Sequence, residues 1–272
     1  MKKYLFLAVV ALGCNTFKKA TTSSANTPQT PVAPTSVIVD GKLFGSVYQQ
    51  KAAEYKALCI QAYNIAMIRL DQAIANKREK PLAIITDLDE TVLDNSQYAI
   101  NRALQGKDYE SLSWSEWIER AEADTIPGAA HFLKYAASKK VEVFYLTNRD
   151  EKDRNGTQKV LEIYNLPAPD DRHLIMRQGT SSKEKRRQEI TSAYNVVLLI
   201  GDNLADFSGE FDKRSVEERQ IFMNKIASEF GNRFILLPNP IYGDWESALY
   251  DHNNNYSLKE KDSIIRISGK TY

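Results

Sequence analysis

Cysteine is scarce. Cys14 and Cys59 are the only two in 272 residues, which excludes a disulfide framework and a cysteine-based zinc site. An excess of charge of one sign is missing too: 36 Lys and Arg stand against 35 Asp and Glu, a formal +1. A protein that grips a nucleic-acid polymer by electrostatics carries a stronger bias. Histidine is sparse, with three residues. His131 and His173 lie in apolar-patterned stretches and His252 in a polar one, so they read as ordinary residues. No internal repeat is visible. What is present is a near-average mixture, 43% hydrophobic and 26% charged, which excludes wholesale disorder.

The first residues read as a targeting segment. Lys2 and Lys3 precede an apolar run over 4–12, too short to span a bilayer but long enough for a signal core. Ala11-Leu12-Gly13-Cys14 resembles a bacterial lipoprotein cleavage box, although Ala11 and Leu12 reverse the usual order of large then small. Residues 20–36 are mostly Thr, Ser, Ala, Asn and Pro, with little to bury, and are expected to form a disordered tether. Cys59 reads as a small buried apolar residue.

Residues 47–80 hold no Gly or Pro, and Cys59, Ala62, Ala66, Leu70 and Ala73 recur at helical spacing. One long helix is expected there, or two joined end to end. Short apolar runs follow at 82–85, 141–146, 173–176, 196–200 and 234–237, the pattern of strands buried on both faces. Helical stretches over 127–139, 151–164 and 181–194 alternate with them, which implies a mostly parallel sheet. Residues 92–126, with Trp114 and Trp117, interrupt the rhythm and read as a helical insertion.

Ligands of such sheets bind past the carboxyl ends of the strands, and the unusual polar clusters fall there. Asp87-Leu88-Asp89-Glu90-Thr91 follows the first run, and Thr147-Asn148-Arg149 the second. Lys183 follows the third, and Gly201-Asp202-Asn203-Leu204-Ala205-Asp206 the fourth. Asp87, Asp89 and Asp202 can surround one point with oxygen atoms, a donor set suited to Mg²⁺. The ion and the Lys183 ammonium would offset the repulsion between an anionic Asp87 and a phosphate dianion. The Thr147 hydroxyl and nearby backbone N–H groups would bind its other oxygens. Asp87 then attacks phosphorus. Asp89, kept protonated by its anionic neighbours, protonates the leaving alkoxide and later deprotonates water.

Two long stretches, residues 85–98 and 201–207, make the chain resemble the haloacid dehalogenase superfamily. Within it, the chain is similar to the class C non-specific acid phosphatases of the lipoprotein e family, which include 5′-nucleotidases. The likeness extends over Trp114, Ile126-Pro127-Gly128, Leu146 to Arg149 and Leu237 to Gly243. The resemblance implies an α/β, Rossmann-like core with a mostly parallel sheet and a smaller, mainly helical lobe. It implies that Asp87 is nucleophile and metal ligand, that Asp89 is acid/base and a ligand through its carbonyl, and that Asp202 completes the metal site. Asp206 would orient metal-bound waters. Thr147, Asn148 and Lys183 would bind phosphate, with Lys185 the alternative lysine one small register shift away. As a charge run, Lys183 to Arg187 otherwise reads as a solvated helix face. Trp114 and Tyr242 match positions that hold a flat leaving group between aromatic faces, which favours nucleotides and aryl phosphates. Trp117 reads as a packing residue.

The expected organisation is therefore a lipoprotein signal and lipobox over 1–14, a tether over 15–40 and a phosphatase domain over 41–272. In that domain the insertion 92–126 and the 47–80 helix contribute to the cap-like lobe. The expected activity is metal-dependent hydrolysis of phosphomonoesters outside the cytoplasm, with Mg²⁺ as cofactor. A lipid anchor on Cys14 would hold the protein in the cell envelope, the outer membrane being the expected site. No nucleic-acid polymer is expected as partner, and a homodimer is left open. A haloacid dehalogenase has no need of an acid at Asp89. The rival of another class is a catalytically silent surface lipoprotein or adhesin on the same fold.

Overall fold

The computed structural model describes residues 36–76, 79–177 and 179–272. The signal segment, Cys14 and most of the expected tether lie outside the described residues.

Helix α1 (Val37–Lys51) starts where Ser36 accepts the Val39 N–H, so the last residues assigned to the 15–40 tether are helical. Ala52 is extended, and α2 (Ala53–Ile74) follows. Of the two expected arrangements, the chain forms two helices joined end to end, and the second ends before Lys80. The reason is packing. α1 lies against other helices of the lobe, whereas Tyr55, Cys59, Tyr63, Ala66 and Leu70 of α2 enter the main core. One straight helix cannot present its apolar stripe to both. α2 therefore belongs to the core layer rather than to the lobe.

Strand β1 (Leu82–Thr86) opens the sheet. The insertion follows as β2 (Leu93–Asp94), α3 (Ser96–Leu104), α4 (Ser111–Arg120) and β3 (Asp124–Thr125), with β2 and β3 paired antiparallel at its neck. Then come α5 (Ala129–Ser138), β4 (Glu142–Asp150), α6 (Arg154–Ile163), β5 (Leu174–Arg177), α7 (Glu184–Ala193) and β6 (Asn195–Gly201). The chain continues through α8 (Val216–Lys225), β7 (Phe234–Leu236), α9 (Asp244–Leu249) and α10 (Leu258–Ser268).

The main sheet has five strands in the order β5-β4-β1-β6-β7, all neighbours parallel. Alternate side chains of each strand point to opposite faces. Ile84, Val143 and Tyr145 pack with α2, α5 and α6 on one face. Ala83, Ile85 and Phe144 pack with Ile190 of α7 and with Phe207 on the other. Both faces are covered, which is why the strands read as continuous apolar runs. On the lobe side, α1 packs on α3 and α10. The Asp262 carboxylate of α10 accepts from the Ser36 hydroxyl and the Ile38 N–H at the start of α1. α6 approaches α4 so closely that a Cβ on Gly156 would lie 2.5 Å from the Ile118 carbonyl oxygen.

The chain runs from β1 out to β5 on one side, then crosses back to β6 and β7 on the other. The order reverses between β1 and β6. That is the crevice where an open parallel sheet binds its ligands.

Candidate active site

Asp87 and Asp202 are the first residues past β1 and β6, at adjacent strand ends. The Asp87 N–H still donates to the Ile200 carbonyl at 2.9 Å, so the strand pairing carries the carboxylate to the crevice. Beyond it the chain folds tightly around Leu88, whose carbonyl accepts from Thr91, Val92 and Leu93. Leu88 is buried, and Glu90 takes the left-handed conformation (φ 58°) that closes the turn.

Asp87, Asp202 and Asp206 each offer an oxygen within 4.8 Å of the others, an all-oxygen donor set able to hold a cation. The Lys183 ammonium bridges two of them, pairing with Asp87 and donating to Asp206 at 2.7 Å. Lys183 is 5% exposed, whereas Lys185 lies at the surface. Of the two lysines, the structure therefore brings Lys183 to the cleft. Asp206 also accepts the Asn203 N–H at 3.0 Å, and its carboxylate lies against Gly201. A Cβ on Gly201 would come within 2.3 Å of it.

Burial raises the Asp87 pKa to about 7; Lys183 opposes this, while Asp206 and Asp89 add to it. Burial raises Asp202 well above the usual carboxylate range, reinforced by Asp206 and Asp87. For Lys183, burial pulls the pKa down, but the Asp206 and Asp87 carboxylates outweigh it and the group is raised. The crevice thus concentrates negative charge that one ammonium offsets only in part. Thr91 and Asn239, to which the sequence reading gave no role, hold Asp202 with donors at 3.1 and 2.8 Å.

Asp89 sits differently. Its carboxylate accepts from Arg149 at 2.7 Å and from the Asn95 amide at 2.9 Å. Beside its anionic neighbours it therefore has two hydrogen-bond donors, one of them a cation. Arg149 is buried, donates also to Thr157, and lies 5.7 Å over the Trp114 ring. Glu90 is fully buried, and burial, followed by the Asp89 charge, raises its pKa to about 8.

The other expected residues divide. Asn148, Trp114 and Tyr242 line the same cleft of about 710 Å³ as Asp87, Asp89 and Lys183. Thr147 does not line it; the hydroxyl is fully buried and accepts the Arg149 N–H. Trp114 has Tyr98 edge-on at 5.0 Å, and the Tyr242 hydroxyl donates to Glu90. Arg186 and Arg187, expected on a solvated face, are buried. Arg186 donates to the carbonyls of Thr147 and Met176 and to the Asn148 side chain, tying together the ends of β4 and β5. Trp117 is buried as expected but also donates to Asn95 at 2.9 Å.

Comparison with known proteins agrees with this architecture. A solved class C acid phosphatase from Bacillus anthracis superposes with a TM-score of 0.84 at 42% identity, covering 86% of this chain and 99% of that one. A second structure of a class C acid phosphatase from that organism, with tungstate bound, gives 0.83 at 42% identity over 86% and 98%. Acid phosphatase 1 of Solanum lycopersicum is 24% identical over 166 residues, 58% of this chain and 57% of the tomato protein. The chain thus spans a little over half of that curated relative. The model of HAD superfamily subfamily IIIB, the acid phosphatases, matches residues 9–245. The chain therefore belongs to subfamily IIIB of the HAD superfamily, the acid phosphatases, which hydrolyse phosphate monoesters.

Proposed function

We propose that the protein is a Mg²⁺-dependent phosphomonoesterase that acts through an aspartyl phosphate on Asp87, with nucleoside monophosphates and aryl phosphates as substrates. The observation that carries this reading is the buried Asp87 carboxylate at the switch point, beside Lys183 and facing Asp202 from the neighbouring strand. A relative 42% identical was solved with tungstate bound, and an affinity of the fold for such an oxyanion supports the reading.

Asp87, Asp202 and Asp206 would hold Mg²⁺ through carboxylate oxygens, with the Asp89 carbonyl as the further ligand that the resemblance implies. When bound, the ion supplies positive charge against both the carboxylates and the substrate phosphate. Lys183, held by Asp206, adds its charge beside the nucleophile. Asn148 stands at the cleft wall to donate to a phosphate oxygen. An Asp87 oxygen attacks phosphorus as the bond to the leaving oxygen breaks, and Asp89 gives that oxygen its proton. Asp89 then takes a proton from water as the water oxygen attacks phosphorus. The Asp87–phosphorus bond breaks and inorganic phosphate leaves.

Hydrolysis of a nucleoside 5′-monophosphate before and after chelation is the test. Activity lost on chelation and restored by Mg²⁺ supports the reading. Full turnover by exhaustively demetallated protein contradicts it, and no turnover under any condition points to the silent surface protein. Export with a lipid on Cys14 rests on the order of basic, apolar and small residues before it. An unmodified Cys14 in the mass spectrum of native protein would exclude that anchor. Among the described residues no helix is long and apolar enough to cross a membrane.

A further inference from the structure

We infer that Asn95 and Arg149, with Trp117 behind them, are positioning residues that select which oxygen of Asp89 handles the proton. The inference rests on the acid role proposed above for Asp89.

The two oxygens of Asp89 are unequally bound. Oδ1 accepts three donors: Arg149 Nη2 at 2.7 Å, Asn95 Nδ2 at 2.9 Å and Arg149 Nε at 3.1 Å. Among the described residues Oδ2 accepts only the long bond from Arg149 Nε at 3.2 Å. A carboxylate oxygen offers roughly two lone-pair sites. Oδ1 is therefore saturated, and Oδ2 is the oxygen that keeps a lone-pair site for exchange with the substrate.

The orientation of Asn95 is forced by its surroundings. The Trp117 indole N–H can only donate, and it meets Asn95 Oδ1 at 2.9 Å. The Asn95 amino group must then face the acceptors, Asp89 Oδ1 and, at 3.4 Å, Glu90 Oε2. Glu90 Oε1 accepts from the Asn95 N–H at 2.8 Å, and Tyr242 donates to Glu90 Oε2. Asn95, Trp117, Glu90 and Arg149 are all buried, so water does not compete for these bonds. The chain of contacts runs from Tyr242 through Glu90, Asn95 and Asp89 to Arg149, which lies over Trp114. Trp114 and Tyr242 thus both connect to the proton-transfer group.

The test is the leaving-group dependence of kcat/KM. p-Nitrophenolate departs without a proton, whereas ethoxide needs one. kcat/KM includes no step after phosphoryl transfer. The ratio between ethyl phosphate and p-nitrophenyl phosphate is also independent of the fraction of protein folded, since both are measured on one sample. Asp89→Asn sets the reference, an ethyl-phosphate loss of about 10²–10⁴-fold with a much smaller aryl loss. Asn95→Ala is expected to shift the ratio in the same direction by about tenfold or more, as misplacement of a reacting group does. Trp117→Phe keeps the ring but removes the N–H, and is expected to shift it the same way by a smaller factor. Equal losses on both substrates in Asn95→Ala and Trp117→Phe, with the reference shift present, would overturn the inference. Absence of the shift in Asp89→Asn itself would overturn the acid assignment, and the inference with it.

Discussion

Asp202 takes its orientation from two uncharged donors, Thr91 and Asn239. One donates to each of its two oxygens, while an Asp202 oxygen lies within 4.8 Å of Asp87 and Asp206. Removing such a partner costs a metal site about 10–100-fold in affinity. Asn239→Ala is accordingly expected to raise the Mg²⁺ concentration for half-maximal activity by about that factor, with excess Mg²⁺ recovering much of the loss. An unshifted Mg²⁺ titration would mean that Asp202 does not hold the ion. At this scale the sequence is legible where a charge stands at a strand end, as at Asp87 and Asp202, or opens the following helix, as at Lys183. It is silent where a neutral or buried side chain acts through a neighbour. Asn95, Arg149 and Asn239 meet their partners across turns, an insertion and a crossover, and no spacing along the chain encodes those meetings. The burial of Arg186 and Arg187 was hidden for the same reason, because a basic run on a helix looks solvated until its carbonyl partners are in place.

At the scale of elements, the five core strands were readable because each is a short apolar run covered on both faces. β4 alone runs well past its apolar residues, since its polar end pairs with β5 near Asp150 and Arg177. The position of the break, at Ala52, was not readable. No Gly or Pro marks it, and it follows from the separate packing partners of α1 and α2. The insertion brings Trp114 on α4 to the cleft, and the segment between β7 and α9 brings Tyr242. A base held by such faces gains about 1–3 kcal/mol per stack. Trp114→Ala and Tyr242→Ala are therefore expected to lower kcat/KM for a nucleoside 5′-monophosphate about tenfold or more, and for a small alkyl phosphate far less. Equal losses on both, with melting temperature falling in parallel, would identify the aromatics as packing residues. Trp114 already serves one such contact, through Tyr98.

Over the whole molecule, a buried acidic crevice sits at the centre of an otherwise well-packed sheet, and its electrostatics reach folding stability. The folded pKa of Asp87 is about 7 against an ordinary 3.8, and that of Glu90 about 8 against 4.5. A carboxyl group raised in this way binds more protons folded than unfolded between the two values. Its contribution to stability is thus fully present below the lower value and is lost as pH rises through the higher one. Without divalent cation, melting temperature is expected to fall as pH rises from about 5 to about 8. Saturating Mg²⁺ adds a charge that favours the ionised carboxylates, so its stabilisation is expected to be larger at the upper end of that range. A Mg²⁺ effect independent of pH, or confined to the acidic end, would place the ion elsewhere.

The central claim is that Asp87 carries the phosphoryl group, and rapid quenching in acid tests it most directly. The full chain is mixed with a phosphomonoester labelled in its phosphate, Mg²⁺ is present, and turnover is stopped within the first cycle. Label is expected on the peptide containing Asp87, released as the reaction proceeds to completion. A folded Asp87→Asn protein is expected to take up no label and not to turn over. Undiminished hydrolysis by Asp87→Asn, or label found on another residue, would contradict it.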